Sequence, residues 1–174
     1  MKLMKTLLMS IAAVGSAVFI AGCDDLPTPE RMKTISTVVG KTAGYACELS
    51  KTKASVKDAI MQVLDVAVTV VPESGQTFTE AWSPIIDAEL ARLVAEGKLD
   101  EAEVPMTKFA LKAATEGLDY IFVKHPKAKN VKDLVAVAVD GFVAGYKSVV
   151  TLSGTDAVVV DEEAYKYITE KLAK

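Results

Sequence analysis

The sequence constrains its fold most strongly through apolar residues that recur every three or four positions in segments bounded by helix-capping residues. Thr28 precedes an apolar face that continues through Val39. Thr77 and Glu80 have the spacing of a capping box, and Gly97 is placed to end the segment that they begin. A threonine side chain satisfies free amides at a helix start, and glycine accepts the left-handed conformation at a helix end. The pattern therefore predicts α-helices.

The spacing predicts an all-α fold, an irregular bundle of five main helices followed by a short C-terminal helix. The helices are expected over residues 28–50, 55–71, 77–97, 100–125, 130–152 and 161–174. Ser55 is predicted to cap the second helix together with Asp58, and Asn130 with Asp133 repeats that pattern in the fifth. The β-branched run 135–139 is assigned to a helix, because charged residues recur there every seven positions.

The predicted fourth helix has a charged stripe, which we interpret as its solvent-exposed side. The stripe consists of Lys108, Lys112, Glu116 and Asp119. Seven aromatic residues fall at helical spacing and are interpreted as core rather than as the lining of a ligand pocket. They are Phe78, Trp82, Phe109, Tyr120, Phe122, Phe142 and Tyr146.

Two internal similarities leave open whether the bundle contains two related helical hairpins. Residues 56–58 and 65 match residues 131–133 and 140, and Gly40 and Gly44 match Gly141 and Gly145 at a different offset. Glycines four positions apart on a helix leave a shallow groove in which another backbone can lie. We therefore interpret the four glycines either as close packing within the chain or as a surface for a partner.

The N-terminus has the order of a secretory signal. Lys2 and Lys5 precede the uncharged apolar residues 7–20, and the small residues Ala21 and Gly22 lead into Cys23. The apolar run is shorter than the ~20 residues that a membrane-spanning helix needs. Residues 1–22 are therefore predicted to be a signal peptide that is removed.

Residues 20–23, Ile-Ala-Gly-Cys, resemble the lipobox of bacterial lipoproteins. The resemblance implies cleavage before Cys23, a diacylglyceryl group on its thiol, an acyl chain on its amino group and a periplasmic location. Asp24 and Asp25 are similar to the signal that retains enteric-type lipoproteins at the inner membrane. Residues 23–28 are then the lipidated N-terminus and tether, residues 29–152 the helical domain, and residues 153–174 an extended linker with the C-terminal helix.

Charge and composition argue against several function classes. The chain has 20 basic and 23 acidic residues, and removal of Lys2 and Lys5 leaves 18 basic residues, or about five net negative charges. Nucleic acid would repel such a domain, and lipid rather than overall charge is expected to hold it on a membrane. With a single histidine and with Cys47 as the remaining cysteine, neither a metal site nor a cofactor site is predicted.

No set of residues points to catalysis. His125 stands next to a proline at a helix end and is interpreted as a surface residue, and Cys47 is expected to be buried rather than paired with another chain. Two pairs of carboxylates lie two positions apart, Asp87 with Glu89 and Glu101 with Glu103, so each pair points in two directions on a helix.

The sequence predicts a membrane-anchored periplasmic lipoprotein that is not an enzyme and binds an envelope protein near the bilayer. A phage or prophage origin would fit this function. Two alternatives stay open: a protein that binds a small apolar ligand or lipid between its helices, and an envelope enzyme that uses carboxylates.

Overall fold

The computed structural model describes residues 26–47, 52–151 and 160–174. Within these ranges the chain forms six α-helices, two short 3-10 helices and no strand. The α-helices are α1 (Pro29–Ala46), α2 (Ala54–Ala67), α3 (Phe78–Ala95), α4 (Val104–Lys124), α5 (Lys132–Thr151) and α6 (Glu162–Leu172). The 3-10 helices, Glu101–Glu103 and Pro126–Asn130, precede α4 and α5. The predicted all-α class is confirmed.

Helices α1 and α5 pack side by side in the same direction. Gly40 faces Phe142 and, one turn further on, Gly44 faces Val149, so residue numbers increase together along both helices. Helix α4 runs the opposite way: Gly117 lies beside Ala43 of α1, whereas the carbonyl oxygen of Ala110, earlier in α4, lies 3.7 Å from the sulfur of Cys47, just after the end of α1. The starts of α1 and α5 and the end of α4 therefore meet at one end of the bundle.

The core is built around large side chains from four helices. Phe78 lies between Trp82, with ring centroids 5.3 Å apart, and Phe122, at 5.5 Å. The Trp82 indole nitrogen donates to the Val70 carbonyl at 2.9 Å. Six of the seven aromatic residues assigned to the core are buried, but Phe109 is 39% exposed on α4. That assignment was wrong because Phe109 points away from the neighbouring helices.

Several helix ends follow the capping pattern of the sequence. The Thr28 hydroxyl accepts from the Arg31 amide at 3.3 Å, with Pro29 as the first helical residue. Thr77 and Glu80 form the predicted capping box, with distances of 3.1 and 2.8 Å. Gly97 follows α3 with φ of 68°. Asp161 caps the short C-terminal helix at the Ala164 amide.

Other predicted helix ends were wrong. Lys53 is the N-cap of α2, and Ser55 instead donates its hydroxyl to Glu103 at 3.0 Å, because a carboxylate from another segment lies within reach. Asn130 belongs to a 3-10 helix, so it is not the N-cap of α5. Helix α1 ends at Ala46 and α2 at Ala67, earlier than expected. Most of the predicted extended linker lies outside the described residues.

Candidate functional site

One end of the bundle carries the start of α1 and is therefore the end at which residues 1–25 join the domain. We call it the tether end and define it by Pro29 of α1, Lys124 of α4 and Lys132 of α5. Cys23, Asp24 and Asp25 lie outside the described residues. Four residues separate Cys23 from the Thr28 cap, and fully extended they span roughly 15 Å.

A run of lysines lies at the tether end. Residues 124–132, which we call the lysine segment, contain four lysines and no acidic residue. Lys124 pairs with Glu163 of α6 at 2.8 Å, and Lys129 donates to the Gln76 carbonyl at 2.5 Å. Burial lowers the pKa of His125, and the nearby charges of Arg31 on α1 and of Lys124 lower it further. Acidic residues lie at the same end, among them Glu30 of α1, Asp133 of α5 and Glu163 of α6, so the positive charge is confined to the lysine segment itself.

A cleft of about 360 Å³ lies between the start of α3, the second half of α4 and α6. Its apolar lining comes from Phe78, Phe122, Val123 and the ring of Tyr167, and its polar lining includes three carboxylates and two lysines. This volume lies within the range of small-molecule sites, ~300–1,000 Å³. The hydrogen bonds that each carboxylate already accepts limit what the cleft can bind.

Two of the three carboxylates are occupied by capping the start of α3. Asp119 accepts from the Phe78 amide at 2.6 Å, the Thr79 amide at 3.2 Å and the Thr79 hydroxyl at 2.7 Å. Glu80 accepts from the Thr77 amide, and this hydrogen bond lowers the pKa of Glu80. The free amides of α3 are thus satisfied by the protein itself.

Glu116 is the third carboxylate of the cleft, and unlike the other two it does not cap α3. It is only 8% exposed, and it has no hydrogen bond to any residue that the structure describes. Burial raises the pKa of Glu116, as does the neighbouring charge of Asp119, while Lys171 and Lys112 lower it. The prediction that Glu116 lies on a solvent-exposed side was wrong, because α6 packs over that part of α4.

Helix α6 supplies the outer wall of the cleft. Lys112 of α4 donates to the Lys171 carbonyl at 3.1 Å, which holds the end of α6 against α4. The Lys171 ammonium lies 5.6 Å from the centre of the Tyr167 ring. Burial raises the pKa of Tyr167, and the charges of Glu116 and Asp119 raise it further. Tyr167 and Glu116 therefore border the same cleft.

The four sequence-selected glycines lie at the contact between α1 and α5. A Cβ atom at Gly40 would overlap the Phe142 carbonyl oxygen, and one at Gly145 would overlap the Thr37 carbonyl oxygen. At Gly141 it would meet Ser36 and Lys33, and at Gly44 it would lie 2.9 Å from Val149 Cβ. The groove that these glycines form is occupied by a helix of the same chain.

Cys47 is buried at the end of α1, as the sequence interpretation favoured. Its thiol donates to the Ala43 carbonyl at 3.2 Å and lies 3.9 Å from the Tyr146 hydroxyl. Burial raises the pKa of Cys47 to about 12. A thiol that stays protonated is a poor nucleophile and a poor metal ligand.

His125 and the remaining carboxylates do not form a catalytic group. His125 is half-buried rather than fully on the surface, at the point where α4 ends and the 3-10 helix Pro126–Asn130 begins. Asp87 pairs with Lys108 at 2.6 Å, Glu89 with Arg92 at 2.8 Å and Glu103 with Lys53 at 2.8 Å. Over residues 26–47, 52–151 and 160–174, no cluster of histidine, cysteine and acidic side chains is arranged to hold a metal.

No helix in the described ranges is both long and apolar enough to cross a membrane. Comparisons with protein-family models, with curated proteins and with solved structures give no match for this chain.

Proposed function

We propose that this chain is a membrane-anchored periplasmic lipoprotein that binds another envelope protein close to the bilayer and is not an enzyme. The start of α1 carries this proposal. Thr28 caps the helix and Pro29 begins it, so only a tether of four residues follows Cys23. Lipid on Cys23 would hold the bundle within roughly 15 Å of the bilayer surface. Several acyl chains on one residue make a stable anchor.

The lysine segment supports an orientation with the tether end toward the membrane. Each lysine close to an anionic leaflet contributes ~1 kcal/mol of attraction, which fades within a Debye length. Acidic residues of the same end, Glu30 and Asp133 among them, oppose part of this attraction. Lipid supplies the attachment, and the tether of four residues favours an orientation with this end of the bundle toward the bilayer. In an enteric-type host, Asp24 would favour the inner membrane.

The opposite end of α4 supports a role in binding a partner. Met106 is 51% exposed there, and Phe109 is exposed one turn further on. Large apolar side chains exposed as neighbours are typical of interaction surfaces. On a bundle anchored at its tether end they point away from the bilayer, toward envelope proteins. A phage or prophage protein that acts on an envelope component would fit this arrangement.

The candidate acid and base groups also support binding rather than catalysis. Asp87 and Glu103 are held in ion pairs with lysines, and Asp119 caps a helix. A general acid or base must reach a substrate, with a pKa near the working pH. The oxygens of these carboxylates are instead engaged by lysines or by helix amides of the same chain.

Cell fractionation tests the anchor. We expect the wild-type protein in the membrane fraction and resistant to high salt, and a Cys23→Ser variant in the soluble periplasmic fraction. Cys47→Ser is the matched control, because it removes the other cysteine and should leave the protein on the membrane. Identical fractionation of the wild type and Cys23→Ser would reject the proposal.

Photo-crosslinking tests the partner. A crosslinking amino acid at Met106 should capture a specific envelope protein, and Phe109→Ser should abolish that product without changing the helical circular dichroism. The same probe at Val123, near the tether end, is the control and should not give this product. Equal products from both positions, or none from a folded protein in its natural host, would contradict the partner role.

A further inference from the structure

We infer that the tether end of the bundle touches the bilayer directly and places exposed aliphatic side chains in the interfacial layer of the membrane. The inference rests on the proposed anchor and adds a contact that lipid on Cys23 does not by itself require. We call these side chains the aliphatic surface; they are Leu26, Val70, Val71 and Val123.

Two of the four side chains reach the tether end on helices. Leu26 precedes the Thr28 cap of α1, and Val123 is the last residue but one of α4. The two helices run in opposite directions, so the start of one and the end of the other meet at this end of the bundle. Leu26 is 51% exposed and Val123 is 61% exposed. Both therefore present apolar surface where the tether begins.

The other two side chains reach the same end in the loop between α2 and α3. Lys129 of the lysine segment donates to the Gln76 carbonyl in this loop. The Trp82 indole donates to the Val70 carbonyl at 2.9 Å, which fixes the beginning of the loop. Val71, the next residue, is 55% exposed. The loop is thus held beside the lysine segment while Val71 remains open to the surroundings.

The length of the tether decides what can cover the aliphatic surface. Pro27 is buried, so the distance from Cys23 to the bundle is set by the chain between these two residues, which spans at most roughly 14 Å. A partner helix with its side chains is already ~10–12 Å across. It would fit beneath the bundle only with the tether almost fully stretched. Single exposed apolar residues are common on proteins, but here the nearest apolar phase is lipid.

Apolar burial drives a contact of this kind, and charge contributes little to it. Aliphatic side chains that enter the boundary between headgroups and acyl chains leave water. The lysines beside them have apolar stems and can keep their ammonium groups at the level of the phosphates. The exposed acids Glu30, Glu73 and Asp133 oppose the attraction of these lysines to anionic lipid. The contact should therefore form on lipid that carries no net charge.

Tryptophan fluorescence in vesicles tests the inference. The lipidated protein is reconstituted into vesicles of phosphatidylcholine, with or without bromine on the first half of the acyl chains. We expect the emission added by Val71→Trp and by Val123→Trp to lie at short wavelength and to be quenched by the brominated lipid. The wild type supplies the baseline, because its one tryptophan, Trp82, is fully buried.

Met106→Trp, at the opposite end of α4, is the matched control and should emit at longer wavelength without quenching. Flotation of the same vesicles reports the anchor separately. A protein that floats while Val71→Trp or Val123→Trp stays unquenched would overturn this inference and leave the anchor intact. Equal quenching at Met106 would also overturn it, because the contact would then not belong to the tether end. A wild type that does not float would overturn the anchor and the contact together.

A second variant tests whether the contact is apolar. In the Val123→Trp protein, Val71→Asp should lower the equilibrium constant for the contact about tenfold, the effect of one buried valine side chain, and so reduce the quenching. Val71→Leu is its control and should keep the quenching. Circular dichroism checks that both variants are folded. Undiminished quenching in the folded Val71→Asp protein would contradict an apolar contact at this loop.

Discussion

Asp119, in the second half of α4, caps the start of α3 with its carboxylate 2.6 Å from the amide nitrogen of Phe78. The first amides of a helix have no partner inside the helix, and a carboxylate there also interacts favourably with the helix dipole. Thr77 caps the same helix from within the local sequence. The start of α3 is thus fixed both by its own residues and by a neighbouring helix.

Removal of that tertiary cap should destabilise the fold. We expect Asp119→Ala to lower the free energy of unfolding by roughly 2 kcal/mol, since it leaves the Phe78 and Thr79 amides without their acceptor. Urea unfolding followed by circular dichroism measures the change. Asp133→Ala, an exposed acid in the first turn of α5, is the control and should change stability by less than ~1 kcal/mol. Equal effects of the two changes would contradict the capping role.

The contact between α1 and α5 should be intolerant of a single methyl group. Gly145→Ala should destabilise the protein by about 1–3 kcal/mol, because the added Cβ overlaps the Thr37 carbonyl oxygen and the helices must separate. Thermal unfolding measures this as a lowered Tm. Ala144→Leu adds more volume at the exposed adjacent position and should leave the Tm almost unchanged. A Gly145→Ala protein as stable as the wild type would rule out a tight contact here.

Glu116 should give the protein an unusual dependence on pH. Because the folded-state pKa of Glu116 is raised, its contribution to stability is present below its unfolded pKa of about 4.3 and is lost as the pH rises through the folded value. Glu116→Gln should therefore be more stable than the wild type at pH 7 and no more stable at about pH 3.5, as urea unfolding at the two pH values measures.

Glu80 provides the opposite control for this experiment. The pKa of Glu80 is lowered by its capping hydrogen bonds, so its contribution is present above its unfolded pKa and is lost as the pH falls through the folded value. Glu80→Gln should be less stable than the wild type at pH 7. If both variants shifted stability in the same direction at pH 7, the account of Glu116 would be wrong. The groups that face Glu116 stay unchanged in both variants; they are Lys112, Lys171, Asp119 and Tyr167.

Cys47 should be unreactive in the folded protein. Its buried thiol has a pKa of about 12, so almost no thiolate forms at pH 8. In a Cys23→Ser background, iodoacetamide should label Cys47 of the native protein only at the rate of global unfolding. In about 6 M guanidinium, which unfolds the chain, labelling should be rapid. Rapid labelling of the native protein would place the thiol on the surface.

Local sequence predicted the helices and several of their ends, because the residues that decide them are neighbours in the chain. Thr28, Thr77 with Glu80, and Gly97 act on amides or carbonyls within a few positions. The helical assignment of residues 135–139 also holds, and Val135, Ala138 and Val139 are buried there at helical spacing. The glycines of α1 and α5 were recognisable as packing positions, although not as partners of each other.

The cleft could not be predicted, because its geometry depends on which helices become neighbours. Ser55 has the spacing of a cap, yet a carboxylate 48 positions away, Glu103, takes its hydroxyl. Glu116 belongs to a charged stripe, and only the packing of α6 shows that it is buried. Asp119 caps a helix that begins about 40 positions earlier. Periodicity gives the exposed side of a helix only when nothing else packs there.

The most direct test of the anchor is the intact mass of the wild-type protein extracted from membranes in detergent. The account predicts a chain that begins at Cys23 and carries the added mass of a diacylglyceryl group and an acyl chain, with Cys47 unmodified. A chain that still contains residues 1–22, or that carries Cys23 without lipid, would contradict it.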